Sequence, residues 1–399
     1  MLTFTDRAKN VSPSLTLAIT AKANQMKAEG VDLISFAAGE PDFNTPEFIC
    51  KAAINAINKG YTKYTAASGL PALKQAVCAK LKRDNNLDYT PDQIVVSTGA
   101  KQCLFNAVQA VVQDGDEVII IAPYWLTYPE LVRLAGGITV YVKSGADTGY
   151  KMTAEQLKNA ITDKTKLLIL NSPNNPTGAV YNKEELAEIA KVCEEKGIYV
   201  ISDEIYEKLV YGGKKHVSIA ALSPYMKEHT VVVNGMSKSY SMTGWRIGYI
   251  AAPSDIAKAV SSMQSHTTSN ACSIAQYASV AALESEESDA FIEKMQKTFD
   301  ERRKYMVKTL GEINGVVLPE PKGAFYVFAD VSAFYGKSFG DEKITGSLSF
   351  ADAALKKGVA VVPGIAFGDD RCIRLSYAIS IEDIKEGLNR LKDFITEIR

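Results

Sequence analysis

A chain of 399 residues, 46% hydrophobic and 23% charged, is long enough to bury a large core and to divide into two or three domains. Its 45 basic and 46 acidic residues nearly cancel, and no basic block stands ready to neutralise a phosphate backbone, so nucleic acid is not expected as a partner. The first residues hold no apolar signal core and no run approaches the ~18 apolar residues that cross a bilayer, so no membrane partner and a cytoplasmic location are expected.

In chain order, the first run of alternating strand and helix signals begins near residue 94. Ile94–Ser97 reads as a strand, Ala100–Val112 as a helix, Glu117–Ile121 as a strand, Leu126–Leu134 as a helix and Ile138–Val142 as a strand. Thr153 with Gln156 forms a capping-box pattern for the next helix. Lys166–Leu170 is apolar enough for a strand buried on both faces. Asn182 with Glu185 can cap the following helix and Gly197 can end it. Strands at Ile198–Ser202, Thr230–Val233 and Ile247–Ala251 complete the series. Such alternation predicts an α/β fold with a largely parallel sheet flanked by helices, and ligands in such sheets bind beyond the carboxyl ends of the strands. Beyond Ser254 longer helical stretches dominate, notably Ser288–Ile313, with strand-like Ala324–Ala329 and Val359–Val362 and a last helix near Ile381–Glu397. That shift predicts a second, smaller α+β domain in the carboxyl-terminal third.

Chemistry concentrates at the predicted strand ends. Gly235-Met-Ser-Lys-Ser-Tyr-Ser-Met-Thr-Gly-Trp-Arg-Ile-Gly248 follows the strand Thr230–Val233. Its Lys238 offers an amine to an aldehyde, while Ser237 and Arg246, eight residues beyond the lysine, can hold a phosphate. Asn171-Ser-Pro-Asn-Asn-Pro-Thr-Gly178 and Ser202-Asp-Glu-Ile-Tyr206 each follow a buried-looking strand. Ser97-Thr-Gly-Ala-Lys-Gln102 places Gly99 and Ala100 at a strand-to-helix turn, where free backbone N–H groups can receive phosphate. Trp125 lies just past another strand in Pro123–Pro129, Gly39 sits in the turn Ala38–Phe43, and Arg374 lies in Arg371–Tyr377. The six cysteines form no Cys-x-x-Cys pair and are expected to be reduced, and the three histidines lie at no metal-ligand spacing, so no metal is expected.

These motifs, in this order, resemble those of the pyridoxal-phosphate-dependent class I/II aminotransferases of fold type I, and most of all the bacterial aspartate aminotransferases of subgroup Iγ/Ib. The resemblance runs from about Ser12 to the last helix. It implies that Lys238 binds pyridoxal 5'-phosphate as a Schiff base and, once freed, moves the substrate proton. Asp203 would keep the pyridine nitrogen protonated, and Tyr206 and Asn175 would bond the phenolic oxygen. Trp125 would stack on the ring, with Gly99, Ala100, Lys101, Ser237 and Arg246 around the phosphate. Tyr64, in Lys63-Tyr-Thr65, would reach the phosphate of the other subunit in a homodimer with shared active sites. Substrate would meet Gly39, Trp125, Asn175 and Arg374, the last as a bidentate clamp on the α-carboxylate. Lys101 would read a distal carboxylate. The implied large domain spans 46–299 and the small one 1–45 with 300–399.

The reaction implied is transfer of the amino group of L-aspartate or another dicarboxylic amino acid to 2-oxoglutarate, in a ping-pong cycle on amino-acid and 2-oxo-acid substrates. Broader aromatic or prephenate transamination is an alternative, although Ser12 stands where prephenate-using members carry a lysine before Pro13-Ser14. A lyase or decarboxylase would share Lys238, Asp203 and the phosphate residues. A cofactor-binding transcription regulator would need a DNA-binding segment for which this chain has neither spare length nor basic charge.

Overall fold

The computed structural model describes residues 3–399. Its largest sheet has seven strands, which we number in chain order: β1 Ile94–Ser97, β2 Glu117–Ala122, β3 Ile138–Lys143, β4 Thr165–Asn171, β5 Tyr199–Asp203, β6 Thr230–Gly235 and β7 Gly248–Ala251. Side by side they run β1-β7-β6-β5-β4-β2-β3. All are mutually parallel except β7, which pairs antiparallel with both β1 and β6. The reason lies in the connection. Between β6 and β7 the chain forms turns and no helix, and without a helical crossover the next strand returns in the opposite direction. The amino end of β7 therefore lies at the sheet edge where the other strands have their carboxyl ends.

Local sequence explains the elements around this sheet. β4 is buried through its last five residues, as helices on both faces require. Thr153 and Gln156 make the reciprocal capping box that opens Ala154–Ala160, and Asn182 with Glu185 does the same for Lys183–Lys196. That second helix ends in Gly197 at φ 69°.

After β7, helices Ser254–Ser265 and Ser273–Glu284 still belong to the sheet's surroundings. Ala257 and Val260 pack in the core with Val95 and Ile250, while Ala275 and Ala278 join the core around Ile94, Leu73 and Val77. The compositional shift at Ser254 thus does not mark the end of packing on the sheet. A separate core gathers the 25-residue helix Glu287–Gly311, strands Tyr326–Asp330 and Cys372–Ser376 and the last helix Ile381–Thr396, together with Ile34 and Phe36 from the amino-terminal side.

The strand expected at Val359–Val362 divides. Val359–Ala360 pairs in parallel with Ile34–Ser35, whereas Val362–Pro363 pairs antiparallel with Cys372–Ser376. A continuous apolar run announces burial, not the partner, and here it passes between two small sheets. Leu15–Ala28, not foreseen as a helix, is capped by Ser14, and only Ala23 of it is buried. No described helix is long and apolar enough to cross a membrane.

Candidate active site

The carboxyl edge of the seven-stranded sheet opens into a cavity of about 590 Å³. Five of the seven strands deliver residues there from their carboxyl ends. Ala100 and Lys101 come after β1, Trp125 after β2, Asn175 after β4, Asp203 from the end of β5, and Ser237 and Lys238 after β6. Arg246, two residues before β7, reaches the same edge because β7 runs backwards. Gly39 enters from the amino-terminal segment, and Arg374 from strand Cys372–Ser376. Tyr206, one turn beyond Asp203, completes the wall.

Two residues singled out from the sequence do not line this cavity. Gly99 lies beneath it, at φ 79°, where a Cβ would come within 2.4 Å of the Arg246 guanidinium. It opens the 13-residue helix Gly99–Val111, so the helix's free N–H groups sit beside Arg246. Gly248 closes the back of that turn, since a Cβ there would meet the Ala100 nitrogen at 2.3 Å. Tyr64 lies away from the cavity and is 88% exposed.

Charge in the cavity is held in unusual states. The Asp203 carboxylate accepts hydrogen bonds from the Tyr128 hydroxyl at 2.7 Å and the Ile205 N–H at 3.2 Å. Burial nevertheless dominates and pushes its pKa up to about 6. Lys238 donates to the Gly39 carbonyl. Burial lowers its pKa to about 8, against the pull of Glu40 and with help from the Arg374 and Arg246 cations. Burial, and then Arg246, also lower Lys101, whose ammonium stands 5.0 Å from the Trp125 ring centre.

Arg374 is only 3% exposed. It donates through Nη1 to Asn175 Oδ1 at 2.9 Å and through Nη2 to the Ala37 carbonyl at 3.3 Å, while its Nε–H has no partner. Among the described residues no carboxylate pairs with it, so its cation is buried without an anion there.

Several contributors were missed in the sequence. Tyr128 lies in the first turn of helix Thr127–Leu134, where its N–H donates to the Trp125 carbonyl at 3.0 Å. Asn171 holds two neighbours together, accepting from the Asn175 N–H at 2.9 Å and donating to the Asp203 carbonyl at 3.0 Å. Tyr326 meets the Tyr206 hydroxyl at 3.0 Å. Thr16, Thr20, Asn24 and Lys27 line the cavity from one face of helix Leu15–Ala28, and their spacing of four, four and three is helical. Glu204, Glu207 and His216 also converge, with ligand-type atoms within 4.8 Å of one another. Those groups are engaged by the chain itself: Lys80 pairs with Glu207, and the His216 ring nitrogen contacts Glu204 at 2.9 Å. All six cysteines are unpaired.

The family model described as aminotransferase class I and II matches residues 31–391. The aspartate aminotransferase of Bacillus sp. (strain YM-2) is 50% identical over 98% of both chains. The probable aspartate/prephenate aminotransferase of Aquifex aeolicus (strain VF5) is 47% identical over the same share of each. The solved structure of the aspartate aminotransferase from Thermus thermophilus with maleate superposes with a TM-score of 0.94, at 42% identity, covering 99% of this chain and 100% of that one. With a matching family model over most of its length and a matching fold throughout, the chain belongs to the class I and II aminotransferases.

Proposed function

We propose that this chain transfers the amino group of L-aspartate to 2-oxoglutarate with pyridoxal 5'-phosphate as cofactor. The observation that carries the reading is a single cavity in which a lysine of lowered pKa, a buried acid and a buried arginine without an anion face one another. The names of the relatives point to the same reaction.

The residues fit the cofactor. The Gly99–Ala100 turn, packed too tightly for a side chain and flanked by Ser237 and Arg246, suits a phosphate. Asp203, buried and with no salt-bridge partner among the described residues, suits a protonated ring nitrogen, which would supply the missing cation and hold the carboxylate ionised. Asn175 and Tyr206 would hold the phenolic oxygen and Trp125 the ring face, with Lys238 as the covalent anchor. When bound, the cofactor supplies a sink for the electrons left when the substrate's Cα–H bond breaks.

The chain's own residues supply the rest. Each Arg374 Nη atom carries two hydrogens and gives one to the chain, so one N–H on each is left for a carboxylate to take the planar fork and orient Cα. A pKa of about 8 leaves a fraction of Lys238 amine neutral near pH 7, able to accept the Cα proton and deliver it again. Gly39 keeps that amine in place through its carbonyl. Lys101 would receive the distal carboxylate of a dicarboxylic substrate.

We assign prephenate at most a secondary part. Ser12 is exposed and its N–H donates to Glu130, so no cation is offered there. Tyr64, far more exposed than a tyrosine needs to be, supports a homodimer in which it completes the partner's phosphate site. We read 46–299 as the large domain and 1–45 with 300–399 as the small one, in a cytoplasmic enzyme.

A screen of amino acids with 2-oxoglutarate, measuring both oxo acid and glutamate, tests the reading. Aspartate should give oxaloacetate and glutamate at the highest kcat/KM. Faster turnover of an aromatic amino acid, or loss of substrate without glutamate, would overturn it.

A further inference from the structure

Tyr326 is 1% exposed and opens strand Tyr326–Asp330. It pairs with Ser376 across the sheet, which sets Arg374 diagonally beside it on the neighbouring strand. Its ring carries the Arg374 guanidinium at 4.3 Å from the ring centre. Its hydroxyl lies 3.0 Å from that of Tyr206 and 3.8 Å from where a Cβ on Gly39 would stand. One side chain therefore touches the residue proposed to hold the substrate carboxylate and the residue proposed to hold the phenolic oxygen.

Hydrogen-bond counting gives this contact a direction. A tyrosine hydroxyl has one proton. If Tyr206 directs its proton to the cofactor's phenolic oxygen, Tyr206 can only accept from Tyr326, and Tyr326 must be the donor. That donation makes the Tyr206 hydroxyl a better donor in turn. The ring does separate work, because a desolvated guanidinium held over an aromatic face keeps its fork aimed into the cavity.

We propose that Tyr326 is a positioning residue that couples the carboxylate clamp to the cofactor's phenolic oxygen, its ring holding Arg374 and its hydroxyl polarising Tyr206. The inference rests on the function proposed above. The two halves separate by substitution. Tyr326→Phe keeps the ring and removes the hydroxyl, while Tyr326→Leu removes both.

The test uses the cofactor-loaded protein and succinate, a dicarboxylate that cannot react. Tyr326→Phe should bind succinate within about twofold of the unaltered protein. The pH midpoint of its cofactor absorption band should rise by roughly half a unit or more, the size of one lost hydrogen bond. Tyr326→Leu should show the same rise and bind succinate about tenfold more weakly, in the range of a buried cation–π contact. If the unaltered protein takes up cofactor and binds succinate but neither variant changes midpoint or affinity, Tyr326 is packing alone and the proposal fails. An unaltered protein that takes up no cofactor would instead defeat the functional reading beneath it.

Discussion

The segment Ser202–Glu207 has two faces that are equally buried and opposite in character. Asp203 and Tyr206 point into the cavity, whereas Glu204 and Glu207 point away from it. On the far face, Glu204 accepts from Ser202 and Ser218 at 2.8 and 2.6 Å and meets His216. Glu207 is paired with Lys80 and accepts from Asn85 at 3.1 Å. Lys80 in turn donates to Asn85 at 2.9 Å. On the cavity face Asp203 holds its proton up to about pH 6, Lys238 loses its own near 8, and Arg374 meets no carboxylate among the described residues. Burial alone therefore does not mark a site. What marks it is buried charge left unmatched, as expected where a ligand is to supply the match. The matched face fixes the turn from behind.

The largest expected effect falls on the cavity face. Lys238→Ala should lower turnover of aspartate by at least ~10²–10⁴-fold, the range of a positioned base, while a thermal melt of the unloaded protein stays the same or rises. Near-normal turnover would remove Lys238 from the reaction and blur the contrast between the faces.

Lys80→Met makes the complementary break, leaving Glu207 buried without its cation. It should cost ~3–5 kcal/mol in a denaturant titration. A loss below ~1 kcal/mol would show that the far face is not the matched network described here.

Asp203→Ala should reduce kcat by roughly 10²–10³-fold, by analogy with deleting one preorganised electrostatic partner. Stability should respond differently, and pH reveals it. Because burial raises the folded pKa of Asp203 above the unfolded value, its protonated form contributes stability that is full below about pH 4 and lost as pH rises through about 6. Relative to Asp203→Asn, the unloaded protein should therefore lose stability across that window, by an amount on the order of 3 kcal/mol. A flat difference would mean that Asp203 is solvated and ordinary.

The smallest effect tests a residue on neither face. Asn182→Ala removes the cap that accepts from the Glu185 N–H at 2.8 Å, and should cost ~1 kcal/mol of stability. Steady-state kinetics with aspartate should not change, and a change would mean that the sheet edge is less insulated from its outer helices than its packing suggests.

Much of this could be read from the sequence, because it is local. Period-two and period-3.6 patterns, caps at Thr153 and Asn182, and the left-handed end at Gly197 depend on residues within one turn of each other. Residues placed just after strands in the sequence, among them Asp203, Lys238 and Asn175, reached one cavity because a parallel sheet brings its carboxyl ends together.

Other features depend on distant segments, which no local pattern encodes. The reversal of β7, which carries Arg246 to the cavity edge, follows from a connection without a helix and is seen only in the strand order. The division of Val359–Val362 between two sheets depends on which strands lie alongside. Tyr326 looks like any core tyrosine until its strand pairs with that of Arg374, and Lys80, on helix Pro71–Asn85, is buried against Glu207 only because a segment 127 residues away is folded onto it. Local propensity sets which elements form and what each carries, whereas the charge state and partners of a buried group are set by what surrounds it in space, and only the tertiary structure decides that.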